Sequence, residues 1–594
     1  MGEMMGVTTE GPGWWQASDG TWHAPQPVQP ERIDRRSFLA RGVVTGAGIV
    51  ALGGVGGLLD ACTSNSGSTA KTTQPPGTSV AASGLPDAIK AVMNKPQYKG
   101  ATWSLLVTDL NTGEKFYPLN PGLLSFTGST RKLFSIGEAL NLFGGDYRQT
   151  TPVYRSGTVD AQGNLTGNLI LFGQGDLTFG GRRIDADTIQ ITDFDHGDAD
   201  NLDTAILTPQ DPLFGLDQLA SQVKAAGITK VTGDVAVDDR FFAPYRVPNQ
   251  NLLITPVMVN ENMVDVTVTP TQPGQPATVE YRPMTAAFTV VNKIITGPPG
   301  SADTVELSDK NLITCLGQSG CNATISGSIP QDYKAPLTGD SKLVRTFRIE
   351  DPSTFARTAF IEALQRQGVT VSANPVGPNP RAVLPASPTY TDDTKVAAFT
   401  SVPYSEHAKL ILHVSMNLGA NLSLSLTGQA KDRNTIQGAL ANEREVLTTQ
   451  YGVKGDQFDF PTNGSGSPDS QATPQAFMQM LTKMAASPVA ADYKAALPVL
   501  GVAGSMATTS VDLPAKGHVF TKPGSTVFPN SDGKTASVKA QNLAGYIDAK
   551  SGRKLAYVVM VNNAGSIDLA HLATGITGIF SDEGTISNYL YESL

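Results

Sequence analysis

A serine followed three residues later by a lysine, Ser129-Thr130-Arg131-Lys132, is the first place in this chain where residue type and spacing could do covalent chemistry. Two further stretches share that quality, Ser415-Met416-Asn417 and Lys522-Pro523-Gly524-Ser525. A hydroxyl is a weak nucleophile and needs a base within hydrogen-bond reach, and a lysine serves as that base only when its pKa is lowered. Lys132 and Lys522, brought together, would lower one another. Ser415 could then relay protons to a leaving group, and the Asn417 amide could hold a peptide carbonyl or the lysine. The chemistry expected is acyl transfer through a serine, with lysines rather than a histidine moving the protons.

These residues need elements to hold them. Leu133, Ile136, Leu140 and Phe143 recur at intervals of three and four, which predicts a helix over 129–143 with Ser129 at its N-terminus. Ser129 and Lys132 then share one face, and the positive helix end favours a developing oxyanion. Taken alone, such a match is more simply a capping serine. Ser415 follows the apolar helix end Leu410 to Val414, and Lys522 follows Val519-Phe520-Thr521 in strand-like alternation. Upstream, Leu85 to Met93 is amphipathic, and a strand from Trp103 to Leu110 turns at Asn111-Thr112-Gly113 into a second near Lys115 to Tyr117. Between the first two motifs the pattern predicts helices over Gln218 to Ile228 and Phe355 to Gly368, and strands over Val231 to Val237, Met263 to Val268 and Val369 to Val371.

At 594 residues, 40% hydrophobic and 16% charged, the chain has core enough for two or three packed units. The net charge of −9 comes with no concentrated basic surface, which argues against a nucleic-acid partner. No H-E-x-x-H and no G-x-S-x-G elbow occurs, so a histidine-triad hydrolase is disfavoured. Asp193-Phe-Asp195-His196-Gly-Asp198-Ala-Asp200 could hold a hard cation, but its order is not that of an EF-hand, and a solvated acidic loop is the expectation.

The N-terminal segment carries an address. Asp34-Arg35-Arg36-Ser37-Phe38-Leu39 is a twin-arginine signature ahead of the glycine-laden apolar run Gly42 to Leu59, and Leu59-Asp60-Ala61-Cys62 resembles a lipobox whose Cys62 would be lipid-modified. The alternative for the run is a marginal membrane span. The remaining cysteines, Cys315 and Cys321, are close enough to close a small disulfide loop outside the cytoplasm. Upstream, Gly11-Pro12-Gly13-Trp14-Trp15-Gln16 and Asp19-Gly20-Thr21-Trp22 resemble a tryptophan-rich module of actinobacterial membrane proteins. That module would persist only if the signal were retained as an anchor. Thr63 to Ser83 has the Ser, Thr, Gly and Pro composition of a flexible tether.

From about Leu85 onward the three motifs, in this order, resemble the serine D-alanyl-D-alanine carboxypeptidase/endopeptidases, the low-molecular-mass class C penicillin-binding proteins. Gly167 to Asp176, Leu252 to Asn262, Tyr404-Ser405-Glu406, Asn463-Gly464-Ser465-Gly466 and Asn542 to Tyr546 resemble stretches of the same family. So does the long gap between the first and second motifs. The resemblance implies a mixed α/β (α+β) fold of the penicillin-binding transpeptidase-like serine type with a large α/β accessory insertion. Its units would be an extension and signal over 1–61, a tether over 62–84, catalytic segments over 85–165 and 386–594, and accessory domains over 166–385. It implies Ser129 as the acylated nucleophile, Lys132 as its base, Ser415 as proton shuttle, Asn417 orienting the substrate backbone and Lys522 setting the electrostatics. Gly524 and Ser525 would bind substrate, and the Ser129 and Ser525 amides would form an oxyanion hole. The implied partners are peptidoglycan stem peptides, β-lactams and, through the lipid anchor, the outer face of the cytoplasmic membrane; no metal or organic cofactor is implied. One departure stands out. Pro523 occupies the position where the family has a threonine whose hydroxyl helps bind the substrate's terminal carboxylate, so a cell-wall-binding lipoprotein with impaired turnover is the alternative. Gly533-Lys534-Thr535 is the rival for the third motif.

Overall fold

The computed structural model describes residues 84–199, 203, 205–248, 250–336, 338–569 and 572–594, together with the short strands Trp15–Gln16 and Trp22–His23. Those two strands pair antiparallel. The twin-arginine signature, the apolar run, Cys62 and the tether lie outside the described residues. No described helix is long and apolar enough to cross a membrane.

The strand Lys554–Asn562 shows how the catalytic unit is built. Its run Leu555-Ala-Tyr-Val-Val-Met-Val561 is apolar on both sides, and successive side chains of a strand point to opposite faces. Leu555, Tyr557, Val559 and Val561 enter one core with the C-terminal helix Leu572–Ser593 and the helix Asp87–Met93. Ala556, Val558 and Met560 enter another with helices Lys132–Phe143, Tyr404–His413 and Pro474–Ala485. The strand is thus the middle of a three-layer sandwich. Its sheet is antiparallel in the order Val519–Pro529, Thr535–Asp548, Lys554–Asn562, Thr102–Asp109, Lys115–Leu119, with Ser566–Asp568 beside Thr535–Asp548. Val519–Pro529 stands at the edge, next to the helices.

The accessory part has its own continuous core, drawn from residues between Val153 and Phe399. One sheet runs Thr370–Val371, Lys230–Val231, Asn164–Phe172, Thr150–Val159, Lys395–Thr400, with Val235–Asp238 also parallel to Asn164–Phe172. A four-stranded sheet around Met263–Thr269 and Leu343–Ile349 and a three-stranded sheet around Thr289–Gly297 and Asn322–Pro330 complete it. Cys315 and Cys321 are disulfide-bonded here, with Cα atoms 5.3 Å apart. The sequence boundary at 165/166 falls inside the strand Asn164–Phe172 of the first sheet, whereas 385/386 falls in the loop before Lys395–Thr400, which pairs with Thr150–Val159. Element ends also move. The second accessory helix begins at Pro352, not Phe355, because Asp351 caps it by accepting from the Thr354 amide, and proline fits the first helical turn. The strand expected over Val231 to Val237 is two, Lys230–Val231 and Val235–Asp238.

Candidate active site

Ser129 lies in a single 3₁₀ turn, Gly128–Arg131, that passes directly into the helix Lys132–Phe143. Ser129 is 7% exposed while Lys132, Ser415, Asn417 and Lys522 are at 0%, so only the serine is approachable. Lys132 Nζ donates to Ser129 Oγ at 2.8 Å and to Asn417 Oδ1 at 2.7 Å, and lies 3.3 Å from both Ser415 Oγ and the Ser465 carbonyl. Lys522 Nζ donates to Ser415 Oγ at 2.9 Å and to the Pro523 carbonyl at 3.0 Å. One hydrogen-bonded chain therefore runs from Ser129 through Lys132 and Ser415 to Lys522, joining all three motifs.

Ser415 sits in the turn between helices Tyr404–His413 and Asn417–Gln429 at φ 65°, a left-handed conformation that a serine adopts only at some cost. That turn aims its hydroxyl at both lysines. The loop 463–467 closes the floor. Asn463 Oδ1 accepts from the Ser465 and Gly466 amides, and Asn421 reaches from its helix to Ser465 Oγ and to the Gly464 amide. The resemblance marked this loop in sequence without giving it a role; the structure shows the Ser465 carbonyl facing Lys132.

Two glycines let the edge strand meet the serine turn backbone to backbone. A Cβ on Gly524 would fall 2.5 Å from the Thr127 carbonyl oxygen and 2.6 Å from the Thr130 nitrogen, and one on Gly128 would fall 2.4 Å from the Ser525 nitrogen. Contacts this short leave no room for a side chain, so the Ser129 and Ser525 amides share one corner of the cleft. Gly524 and Ser525 are thereby brought against the Ser129 turn. The Ser525 hydroxyl is buried and has no hydrogen-bond partner among the described residues.

Pro523 costs the sheet nothing. The Thr521 amide donates to the Pro498 carbonyl, away from the neighbouring strand, and by alternation Pro523 and Ser525 turn their backbone nitrogens to the same outer edge. Proline is tolerated on such an edge. What is missing is a hydroxyl and an N–H on the cleft side. The rival Lys534 lies in the hairpin turn after Pro529, exposed and remote from the motifs.

Behind the serine, Arg131 forms a bidentate pair with Glu443, both fully buried, and stacks 3.8 Å over the Phe460 ring. Glu138 lies alongside and accepts from Asn442. Burial, and then the Glu443 charge, push its carboxyl well above the usual range. Such a pair anchors the turn through geometry rather than through net energy.

In the acidic segment Asp193 is exposed as expected and Asp200 lies outside the described residues, but Asp195 and His196 are not solvated. Asp195, His196 and Glu261 are buried and place ligand-type atoms within 4.8 Å of one another. Their charges are already matched. Arg182 bonds both Asp195 and Glu261, His196 bridges Glu261 at 3.0 Å and Asp265 at 2.6 Å, and Arg282 also meets Asp265. Desolvation pulls the imidazole down, but the Asp265 and Glu261 carboxylates outweigh it and push His196 up to about 10. Three cations face three carboxylates, which is an ionic knot rather than a vacant cation site. The residues that compensate the acids come from distant parts of the chain, which is why the local spacing misled.

One contact had no signal in the sequence. Gln250, from the accessory part, accepts from Asn417 Nδ2 at 2.7 Å.

The profile of the D-Ala-D-Ala carboxypeptidase 3 (S13) family matches residues 85–581. The chain belongs to this family. As an S13 enzyme it is a serine peptidase, and its three motifs and their long first gap are those of a low-molecular-mass class C penicillin-binding protein. Its sequence is similar to a D-alanyl-D-alanine carboxypeptidase of Actinomadura sp. (strain R39), 27% identical over 512 residues that make up 82% of each chain. The S13 fold is also that of penicillin binding protein 4 from Haemophilus influenzae, with a TM-score of 0.61 at 18% identity over 85% of this chain and 99% of that one.

Proposed function

We propose that this S13 enzyme cleaves the terminal D-alanyl-D-alanine bond, and D-amino-acid crosslinks, of peptidoglycan stem peptides through an acyl-enzyme on Ser129. The observation that carries this is the unbroken hydrogen-bonded chain Ser129–Lys132–Ser415–Lys522. Ser129 Oγ attacks the penultimate D-alanine carbonyl while its proton passes to Lys132. The oxyanion forms beside the Ser129 and Ser525 amides. The C–N bond then breaks, the leaving amine takes a proton delivered through Ser415, and water hydrolyses the ester by the reverse relay. Asn417 meets the substrate backbone. β-Lactams acylate the same serine, a reading supported by the similar Haemophilus influenzae protein described in complex with a β-lactam. The disulfide suits an extracytoplasmic enzyme, exported by the twin-arginine signature and held to the membrane by lipid on Cys62.

A second reading rests on Pro523. Without the hydroxyl at that position the protein would bind cell-wall peptides and turn over slowly. Mass spectrometry of the full chain after benzylpenicillin, beside Ser129→Ala, with D-alanine release from a muropeptide assayed in parallel, separates the two. Adduct on Ser129 with D-alanine release supports the peptidase. Adduct without release supports the impaired binder, and absence of adduct removes the acyl-enzyme.

A further inference from the structure

A short hairpin of the accessory part reaches the second motif. Its strands are Tyr245–Arg246 and Leu253–Ile254, and Val247, Leu252 and Ile254 are buried in the helical core of the catalytic unit. Two side chains of this hairpin grip the helix Asn417–Gln429. Tyr245 Oη donates to Asn421 Oδ1 at 2.7 Å, and Gln250 Oε1 accepts from Asn417 Nδ2 at 2.7 Å. Asn417 and Asn421 lie one turn apart, so both contacts fall on one helix face. Gln250 and Asn251 hold the hairpin tip at φ 63° and 53°, and Arg246 braces it by donating to the Asn251 carbonyl.

The two ends of an asparagine amide have nearly one shape and opposite chemistry, so its neighbours decide which way it faces. With Gln250 accepting from Nδ2, Oδ1 is left on Lys132 at 2.7 Å. Nδ2 carries a second proton, and that proton is what a substrate carbonyl would meet. We infer that Gln250 is a positioning residue for the acylation step, fixing the Asn417 amide with its oxygen on Lys132 and its nitrogen toward the substrate backbone. This rests on the reading of Asn417 given above. It also gives the insertion a task in the reaction: the hairpin sets the second motif from outside the catalytic unit.

Gln250→Met keeps the length and removes the acceptor, while Gln250→Glu keeps an acceptor oxygen. The test measures the second-order rate of Ser129 acylation by a fluorescent penicillin. In parallel it follows solvent exchange of the Asn417 side-chain amide in full-length protein labelled with ¹⁵N-asparagine, a readout that does not depend on activity. The expected result is that Gln250→Met acylates about tenfold more slowly, the change that about 1.4 kcal/mol of hydrogen bonding produces. Its Asn417 amide exchanges faster, and Gln250→Glu restores both. Wild-type exchange in Gln250→Met overturns the proposal whatever the acylation rate. A wild-type protein that is never acylated overturns the functional reading instead, and the exchange comparison still decides the role of Gln250.

Discussion

Lys522 donates a 2.9 Å hydrogen bond to Ser415 across 107 residues of chain. Ser415 also lies 3.3 Å from Lys132, so its hydroxyl joins the two amines.

Ser415→Ala breaks that junction without touching Ser129. General acid–base groups contribute roughly 10²- to 10⁴-fold, so acylation by penicillin is expected to slow by about that range while far-UV circular dichroism is unchanged. An unaltered rate in stopped-flow labelling would remove Ser415 from the relay.

Gly524→Ala probes the close approach of edge strand and serine turn. The new methyl would fall 2.5 Å from the Thr127 carbonyl oxygen and 2.6 Å from the Thr130 nitrogen, both backbone and unable to swing aside. Overpacking of this kind costs about 1–3 kcal/mol, and displacing reacting groups by about an ångström costs roughly 10²-fold in rate. Urea unfolding and the acylation rate should both show the loss; a variant with full activity would place the oxyanion corner elsewhere.

Pro523→Thr restores a hydroxyl and an N–H on the outer edge. A hydrogen bond to a charged group is worth about 1.5–3 kcal/mol, so kcat/KM for a stem peptide with a free terminal carboxylate should rise about tenfold or more, and that for its amidated analogue should not. Stability should fall by only about 0.4–1 kcal/mol, the unfolded-state benefit of proline, because no bond to the neighbouring strand is at stake. Equal gains on both peptides would show that the carboxylate is not read here.

His196 makes the accessory core sensitive to alkali. Its pKa is raised from 6.5 to about 10, so the folded state binds a proton the unfolded state releases. The stabilisation is complete below pH 6.5 and is lost as pH rises toward about 10. Thermal melts of wild type and His196→Gln should therefore differ most at or below pH 6.5 and converge toward pH 10. A difference that grows with pH would show that the imidazole is buried neutral.

Much of the catalytic geometry was legible in the residues. Ser129 and Lys132 are three apart, and although Ser129 lies in a 3₁₀ turn rather than in the expected α-helix, residues three apart in such a turn also fall on one side. Val519 to Thr521 announces the strand that carries Lys522, and Trp103 to Leu110 the strand Thr102–Asp109 of the same sheet. The acidic segment misled because its compensation is not local: Arg182, Glu261, Asp265 and Arg282 meet Asp195 and His196 only once the accessory sheets have packed.

By itself the sequence determined the Ser129–Lys132 spacing and the two further motifs, since each depends on side-chain type and on the period of one element. Tertiary structure alone decided which way Ser415 faces, how closely Gly524 passes Ser129, that Pro523 lies on a free edge, and that Gln250 reaches Asn417. Those depend on which strand is at the edge and which loop docks on which helix, and such choices are made by the burial of whole faces, not by any local spacing.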